Sequence, residues 1–175
     1  MNGNIRENER TLADGNVVIG VGDYAVCNIP GGTIKTFALG SCVSVIMQDL
    51  KCSMVGMVHV ALPESAISLE KAAEHPGYFA DTGIPALIDL MGRMGSRKRG
   101  KGMVVKLAGG AQIMDSSNTF NIGKRNALAV KETLWANGIG SVAEDLGGQI
   151  SRTVTVDVDS GNIIISTPGR ESWKI

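Results

Sequence analysis

Short runs of apolar and β-branched residues recur along this chain and are separated by turns that contain glycine, proline, asparagine or aspartate. Runs of this kind are typical of β-strands. They lie at 17–21, 24–28, 33–39, 43–47, 54–62, 103–107, 139–143, 153–158 and 162–166. The pattern therefore predicts about eight or nine strands.

Two segments change to a helical period. From Asp81 to Gly95 apolar residues recur three and four positions apart, with Asp81 or Thr82 available as the N-cap. A second helix is expected from Ile122 to Asn137. Because strands and helices do not alternate regularly, we expect an α+β fold, in which mixed β-sheets form a sandwich-like core with about two to three flanking helices.

Two connections carry their own signals. The Asp-Ser-Gly turn at 159–161 favours an antiparallel hairpin between the strands on either side of it. Residues 63–78 contain small and acidic residues, begin with a proline and show no clear period. We expect a long irregular segment there, of the kind that forms a lid or the rim of a substrate site.

Length and charge limit the classes of protein to consider. The 175 residues can bury one core, so we expect a single domain at 16–175 after a flexible leader at 1–15. The leader has no apolar stretch suited to secretion, which predicts a cytoplasmic protein. The 17 basic and 17 acidic side chains cancel, which argues against nucleic-acid binding. The longest apolar run, 54–62, is about half as long as a membrane span, so no membrane insertion is expected.

The cysteines pose the first chemical question. Cys27, Cys42 and Cys52 cannot all pair, and none has the Cys-x-x-Cys or Cys/His spacing of a zinc site. No metal site is therefore predicted. In a reducing compartment all three should be free thiols.

Cys42 and His59 could form a nucleophile and base pair. Cys42 follows Gly40 and Ser41, which provide a sharp corner between two strand runs, and a thiol at a corner is accessible. If residues 43–62 fold back as adjacent strands, His59 can lie beside it. From the residues alone the alternative stays open, because free cysteines are more often small buried hydrophobic residues and His59 lies within an apolar strand run.

Four blocks of this sequence carry a family resemblance. The stretches TFALGSCVSV and GMVHVALP, then KLAGGAQIMDSSNTFNIGKRNA and EDLGGQISRTVTVDVDSGNIIIS, resemble in order the motifs of the bacterial chemoreceptor glutamine deamidases, the CheD family. The resemblance implies Cys42 as nucleophile, His59 as base and Thr36 as the third member of the site. One departure is Gln149-Ile150-Ser151-Arg152, where the family usually shows Gly-Arg shortly after its Gly-Gly.

The resemblance also implies a reaction, a protein-glutamine glutaminase acting on methyl-accepting chemotaxis receptors through a thioester and without a cofactor. Thr36 could hydrogen-bond the imidazole and fix its tautomer. Backbone N–H groups at Gly40, Ser41 and Cys42 would hold the oxyanion. Residues 109–111 and 121–126 are expected to shape the pocket and to pack a helix close to the sheet.

Other functions stay open on the sequence. The chain could be a binding module that docks a receptor or a CheC-type chemotaxis phosphatase, with the same groove used for recognition. It could also be a general cysteine protease or a transglutaminase, which would cleave peptides or incorporate amines instead of forming glutamate.

Overall fold

A computed structural model of the protein describes residues 15–97, 100–113 and 121–175. The described strands are β1 (Asn16–Ile19), β2 (Tyr24–Cys27), β3 (Thr33–Leu39), β4 (Val43–Asp49), β5 (Met54–Val60), β6 (Val104–Gly109), β7 (Ala143–Leu146), β8 (Arg152–Asp157), β9 (Ile163–Ser166) and β10 (Trp173–Lys174). The described α-helices are α1 (Leu69–Glu74), α2 (Ala80–Arg93) and α3 (Ile122–Ala136). Most of the predicted leader lies outside the described residues.

The strands form two mixed sheets. The first sheet has the order β1-β3-β8-β9-β10 and the second the order β2-β5-β4-β6-β7. In each sheet one pair is parallel, β1 with β3 and β6 with β7, and the other pairs are antiparallel. The antiparallel hairpin predicted around 159–161 is confirmed as β8 and β9.

Three layers result, because the second sheet is covered on both faces. Every residue of β4 and β5 is buried. Alternate side chains contact two clusters: Ile46 and Met57 pack against the first sheet, whereas Val45 and Val58 pack against α2 and α3. We call the cluster between the two sheets the inter-sheet core. The predicted α+β sandwich with flanking helices is therefore confirmed.

The predicted start of α2 is wrong by a short distance. The helix begins at Ala80 with Phe79 in the N-cap position and no side-chain cap. The two expected caps bind the preceding segment instead. The Asp81 carboxylate accepts hydrogen bonds from the N–H and hydroxyl of Ser65, and Thr82 Oγ1 donates to the Pro76 carbonyl at 2.6 Å. They anchor residues 63–78 rather than the helix end.

Residues 63–78 are less irregular than expected. They contain α1 and two single 3₁₀ turns, Ser65–Ile67 and Pro76–Tyr78. The Ser68 hydroxyl accepts a hydrogen bond from the Lys71 N–H and caps α1. Short helices of this length were not visible in the sequence because they complete too few turns to show a period.

The strand predicted at 139–143 is displaced. Ile139, the first residue of the predicted strand, instead caps the end of α3, because its N–H donates to the Leu134 carbonyl at 2.9 Å. The Ile139 side chain belongs to the core cluster under the helices. The strand itself, β7, begins only at Ala143. The short strand β10 was not predicted. No helix among the described residues has both the length and the apolar character that crossing a bilayer requires.

Candidate active site

A bulge in β3 places Thr36 at the inter-sheet layer. The register of β3 against β8 shifts between Thr36 and Leu39, and Ala38 takes a positive φ of 54°. Such a φ is uncommon for a residue with a side chain. The extra residue leaves Phe37 and Ala38 exposed, while Thr36 and Leu39 both point inward and are fully buried. A bulge commonly re-aims side chains in this way.

The hairpin of β4 and β5 brings the cysteine and the histidine to one face. Ser44 lies directly opposite His59, and Val43 opposite Val60. Side chains alternate between faces along a strand, so Cys42, Ser44 and His59 all project toward the first sheet. Cys42 is thus the diagonal neighbour of His59, within reach of an imidazole. Consistently, Cys42 packs against the inter-sheet core.

The hydrogen bonds of Thr36 determine the tautomer of His59. Thr36 Oγ1 lies 2.8 Å from His59 Nδ1 and 3.0 Å from the Ile19 carbonyl oxygen. A hydroxyl has one proton, and a carbonyl can only accept, so that proton goes to Ile19. The threonine oxygen must then accept from the ring, and Nδ1 carries the hydrogen. This leaves a lone pair on His59 Nε2.

The Nε2 atom has no hydrogen-bond partner among the described residues, and the same is true of Ser44 Oγ opposite it. Both residues are buried, His59 being 1% exposed. Buried polar atoms in proteins are nearly always paired, and exceptions concentrate where a water or substrate binds. A basic nitrogen without a partner among the described residues, on the sheet face that also carries the Cys42 thiol, is therefore the main chemical feature of this region.

Burial keeps both groups neutral. Desolvation lowers the pKa of His59 from 6.5 to about 4, and the negative charge of Asp23 opposes this only partly. Desolvation likewise raises the pKa of the Cys42 thiol above its ordinary value of 9.0, against a smaller lowering by its own backbone N–H. At neutral pH the pair is a thiol beside a neutral imidazole, not a preformed ion pair.

The corner before β4, residues 40–42, is held in place by hydrogen bonds that its carbonyl groups accept. The Gly40 and Cys42 carbonyls accept from the N–H groups of Ala111 and Gly110, each at 2.7 Å, and the Ser41 carbonyl accepts from Asn126 Nδ2 at 2.9 Å. In the part of the chain that the structure describes, no oxygen accepts a hydrogen bond from the N–H of Ser41 or Cys42. These donors remain available to a ligand.

The loop after β6 and the start of α3 pack as the sequence predicted. A Cβ at Gly123 would overlap the carbonyl oxygens of Gly110 and Ala111, so glycine lets the helix approach the loop. Helix α3 then carries Asn126 to the corner. Sequence reasoning gave this segment a general role in shaping the pocket and did not identify Asn126. The available signal was the position of Asn126 at helical spacing from Val130 and Leu134, on the face expected to pack against the sheet.

The other cysteines lie apart from this arrangement. All three thiols are free, as predicted; Cys27 is buried, Cys42 half-buried and Cys52 exposed. Cys27 Sγ contacts the Gly15 carbonyl, and Cys52 Sγ contacts the Asp49 carboxylate. Across residues 15–97, 100–113 and 121–175, no group of three or more His, Cys, Asp or Glu side chains could hold a metal ion.

Arg152 lies in the block that departs from the family pattern, and its side chain forms an ion pair and hydrogen bonds within the fold. It is 4% exposed, pairs with the Asp145 carboxylate at 2.8 Å and donates to the Gly147 and Ile150 carbonyls. Asp145 also accepts from the Trp173 indole at 2.6 Å. These bonds join β7, β8 and β10 across the two sheets.

Comparison with known proteins identifies the family. Residues 61–167, more than half of the chain, match the family model described as CheD chemotactic sensory transduction. The chain belongs to the CheD family. This match begins just after His59, whereas the relatives below extend over nearly the whole chain.

Three relatives illustrate the similarity. The protein is 52% identical over 159 residues to the probable chemoreceptor glutamine deamidase CheD of Syntrophotalea carbinolica, covering 91% of this chain and 98% of that one. It is 40% identical over 152 residues to the chemoreceptor glutamine deamidase CheD of Thermotoga maritima, covering 87% and 92%. The corresponding protein of the archaeon Haloarcula marismortui is 38% identical over 157 residues, covering 89% and 87%.

Proposed function

We propose that this CheD protein is a chemoreceptor glutamine deamidase, with Cys42 as nucleophile, His59 as base and Thr36 as the residue that orients the imidazole. One observation carries the proposal. The bond from His59 Nδ1–H to Thr36 leaves a basic Nε2 without a partner on the face that also carries the half-buried Cys42 thiol. The names of the relatives support the reaction and the class of substrate.

The first half of the reaction forms a thioester. His59 Nε2 takes the proton of the Cys42 thiol as the sulfur attacks the carboxamide carbon of a glutamine side chain. The resulting tetrahedral oxyanion is held by the unoccupied N–H groups of Ser41 and Cys42 at the corner after Gly40. The intermediate collapses, the carbon–nitrogen bond breaks, and the proton on Nε2 leaves with the nitrogen as ammonia.

The second half regenerates the thiol. His59 Nε2 removes a proton from water, which attacks the thioester carbonyl and forms a second oxyanion. Collapse of this oxyanion breaks the carbon–sulfur bond, and the proton on Nε2 returns to the sulfur. The product is a glutamate side chain. Because the resting pair is neutral, each proton moves during attack, and the tautomer set by Thr36 decides whether Nε2 can accept it.

The surroundings of the corner suit a protein substrate. Phe37 and Ile113 are both about half exposed, and Ile113 Cδ1 would lie 3.3 Å from a Cβ at Gly40. Exposed apolar side chains of this kind can contribute to a surface that contacts another protein. The names of the relatives point to a chemoreceptor as that protein.

The proposal is tested by incubating the protein with the cytoplasmic fragment of a chemoreceptor and measuring released ammonia. Mass spectrometry of the fragment should show the mass difference between an amide and an acid at particular glutamines. Cys42→Ala should abolish both signals. Cys52→Ala is the matched control, because that thiol is exposed and lies outside the site, and it should retain full activity. Full activity of Cys42→Ala would contradict the mechanism.

The same assay separates the alternatives. Cleavage of the fragment would indicate a protease, and incorporation of an added amine would indicate a transglutaminase. Docking of a CheC-type phosphatase remains a proposal from the family resemblance. Binding of receptor or phosphatase by wild-type protein that shows no turnover would favour a binding module.

A further inference from the structure

Asn126 links the strand that carries the base to the corner that carries the nucleophile. It lies on α3 and is fully buried. Its Nδ2 donates one hydrogen bond to the Ser41 carbonyl at 2.9 Å and another to the Ala61 carbonyl at 2.8 Å. Ser41 immediately precedes Cys42, and Ala61 directly follows β5, two residues after His59. One amide group thus spans both segments.

The orientation of this amide is fixed by its partners. Both neighbours of Nδ2 are carbonyl oxygens, which cannot donate, so the side chain cannot be turned over without placing oxygen against oxygen. In this orientation Asn126 Oδ1 is buried and has no donor among the described residues. A buried acceptor without a donor is unfavourable. The Asn126 side chain therefore satisfies two carbonyl oxygens at the site while its own oxygen has no donor among the described residues.

The bond to Ser41 has a consequence for the neighbouring amide. A peptide unit is planar and trans, so its C=O and N–H point in opposite directions. Holding the Ser41 carbonyl toward α3 turns the Cys42 N–H away from α3, toward the side on which the Cys42 sulfur lies. Cys42 packs against the inter-sheet core, which lies on that same side.

We propose that Asn126 is a positioning residue, which fixes the Ser41–Cys42 peptide plane so that the Cys42 N–H faces the oxyanion. The inference rests on the proposed function. Gly110 and Ala111 hold the carbonyls on either side. Among the described residues, Asn126 alone donates to the carbonyl of the peptide whose N–H belongs to Cys42. Because Asn126 also donates to the Ala61 carbonyl, it fixes the distances between α3, the corner and the end of β5.

The test compares Asn126→Ala with Asn137→Ala. Asn137 also donates through Nδ2 to a carbonyl, that of Thr133 at 2.8 Å, but at the far end of α3. With the receptor fragment as substrate, Asn126→Ala should lower kcat roughly ten- to a hundredfold and leave KM nearly unchanged. This loss is smaller than the roughly hundred- to thousandfold loss on deleting an oxyanion donor, because the Cys42 N–H is misaligned and not removed. Asn137→Ala should retain wild-type kcat.

A second readout distinguishes an oxyanion effect from a damaged site. Alkylation of Cys42 by iodoacetamide requires the thiolate but forms no oxyanion, so Asn126→Ala should alkylate at close to the wild-type rate. The exposed Cys52 will also react, so alkylation is measured for the Cys42 peptide alone by mass spectrometry. Parallel losses of turnover and alkylation would overturn the inference, because they would indicate general disruption.

Asn126→Asp covers the case in which the alanine variant does not fold. Its carboxylate has the shape of the amide but no proton to donate, whereas the protonated acid can donate one. Turnover by this variant, relative to wild type, should rise as the pH is lowered through the pKa of the new carboxyl group. A ratio that does not change with pH would overturn the inference.

The two proposals fail differently. A wild-type protein without ammonia release would overturn the proposed function and this inference with it. A wild-type protein that turns over, with Asn126→Ala equally active, would overturn the inference alone.

Discussion

Replacing Thr36 by valine isolates the hydrogen bond that sets the imidazole tautomer. Valine has nearly the shape of threonine, and Thr36 is fully buried, so the packing of β3 is kept. The change removes an acceptor from His59 Nδ1–H and a donor from the Ile19 carbonyl. A buried polar group left without its partner costs about 1–3 kcal/mol.

That free energy enters both stability and rate. The unfolding free energy should fall by about 1–3 kcal/mol, measured by urea denaturation. The ring can also recover part of the loss by moving its proton to Nε2, where it can no longer act as a base. If the same 1–3 kcal/mol appears in the barrier, kcat falls roughly 5- to 150-fold. KM should change little, because Thr36 lies beneath the imidazole and does not reach the surface.

Two variants control this experiment. Thr36→Ser keeps the hydroxyl and should retain kcat within about threefold, since the tautomer-setting bond is preserved. Thr33→Val removes a threonine hydroxyl from the same strand, but its bond to Asn16 Oδ1 is exposed. It should change neither kcat nor stability by a measurable amount.

The tautomer itself can be observed. The chain contains only 2 histidines. The ring nitrogen resonances of His59 can therefore be assigned by NMR, as those that are absent from the spectrum of His59→Gln. Wild-type protein should show hydrogen on Nδ1, and Thr36→Val should show a shift toward hydrogen on Nε2. Wild-type kcat in Thr36→Val, or an unchanged tautomer together with a lowered kcat, would refute the reasoning.

Three further predictions follow from the site and its support. Because burial lowers the pKa of His59 from 6.5 to about 4, the unfolded chain binds a proton that the folded chain does not between these values. The unfolding free energy should therefore fall by about 3 kcal/mol as the pH drops through that window, in urea titrations, and His59→Gln should lose correspondingly less. Because burial raises the pKa of the Cys42 thiol, its alkylation rate should still be rising at pH 9.0, the ordinary thiol value, and a plateau below it would be inconsistent with the structure. Gly123→Ala should lower the unfolding free energy by about 1–3 kcal/mol through overlap with the loop after β6. Gly92→Ala, on α2 with open space around it, should raise the free energy by about 0.5–1 kcal/mol instead, and equal effects would refute the packing argument.

The strands and the central hairpin could be predicted because short apolar runs and the turn residues between them indicate these elements within a few positions of the sequence. Residues 43–60 contain two apolar runs joined by a short turn, and an antiparallel pair is the simple way to connect them. In the observed register, that pairing places Cys42 and His59 on one face. Assigning roles to these residues and to Thr36 required the family resemblance, since strand threonines and buried cysteines are common.

Other features depend on contacts that no short window of sequence contains. The bulge at Ala38 places a positive φ on a residue other than glycine, which no turn signal marks. The strand expected at 139–143 lost its first residues to the end of α3 because Ile139 packs beneath that helix. The bonds of Asn126 reach Ser41 and Ala61, which are far from it in sequence.

The three-layer arrangement explains how the proposed base can be buried while the proposed nucleophile is half-buried. Thr36 comes from the first sheet, Cys42 and His59 from the second, and Asn126 from the helix layer. Inside the sandwich, the imidazole loses water and stays neutral, which an acceptor of the thiol proton requires. The corner at Gly40 lies where β4 begins, so the half-buried sulfur there stays within reach of a substrate side chain. Changes that separate the layers should therefore abolish turnover before they unfold the protein, whereas changes at the rim should alter KM.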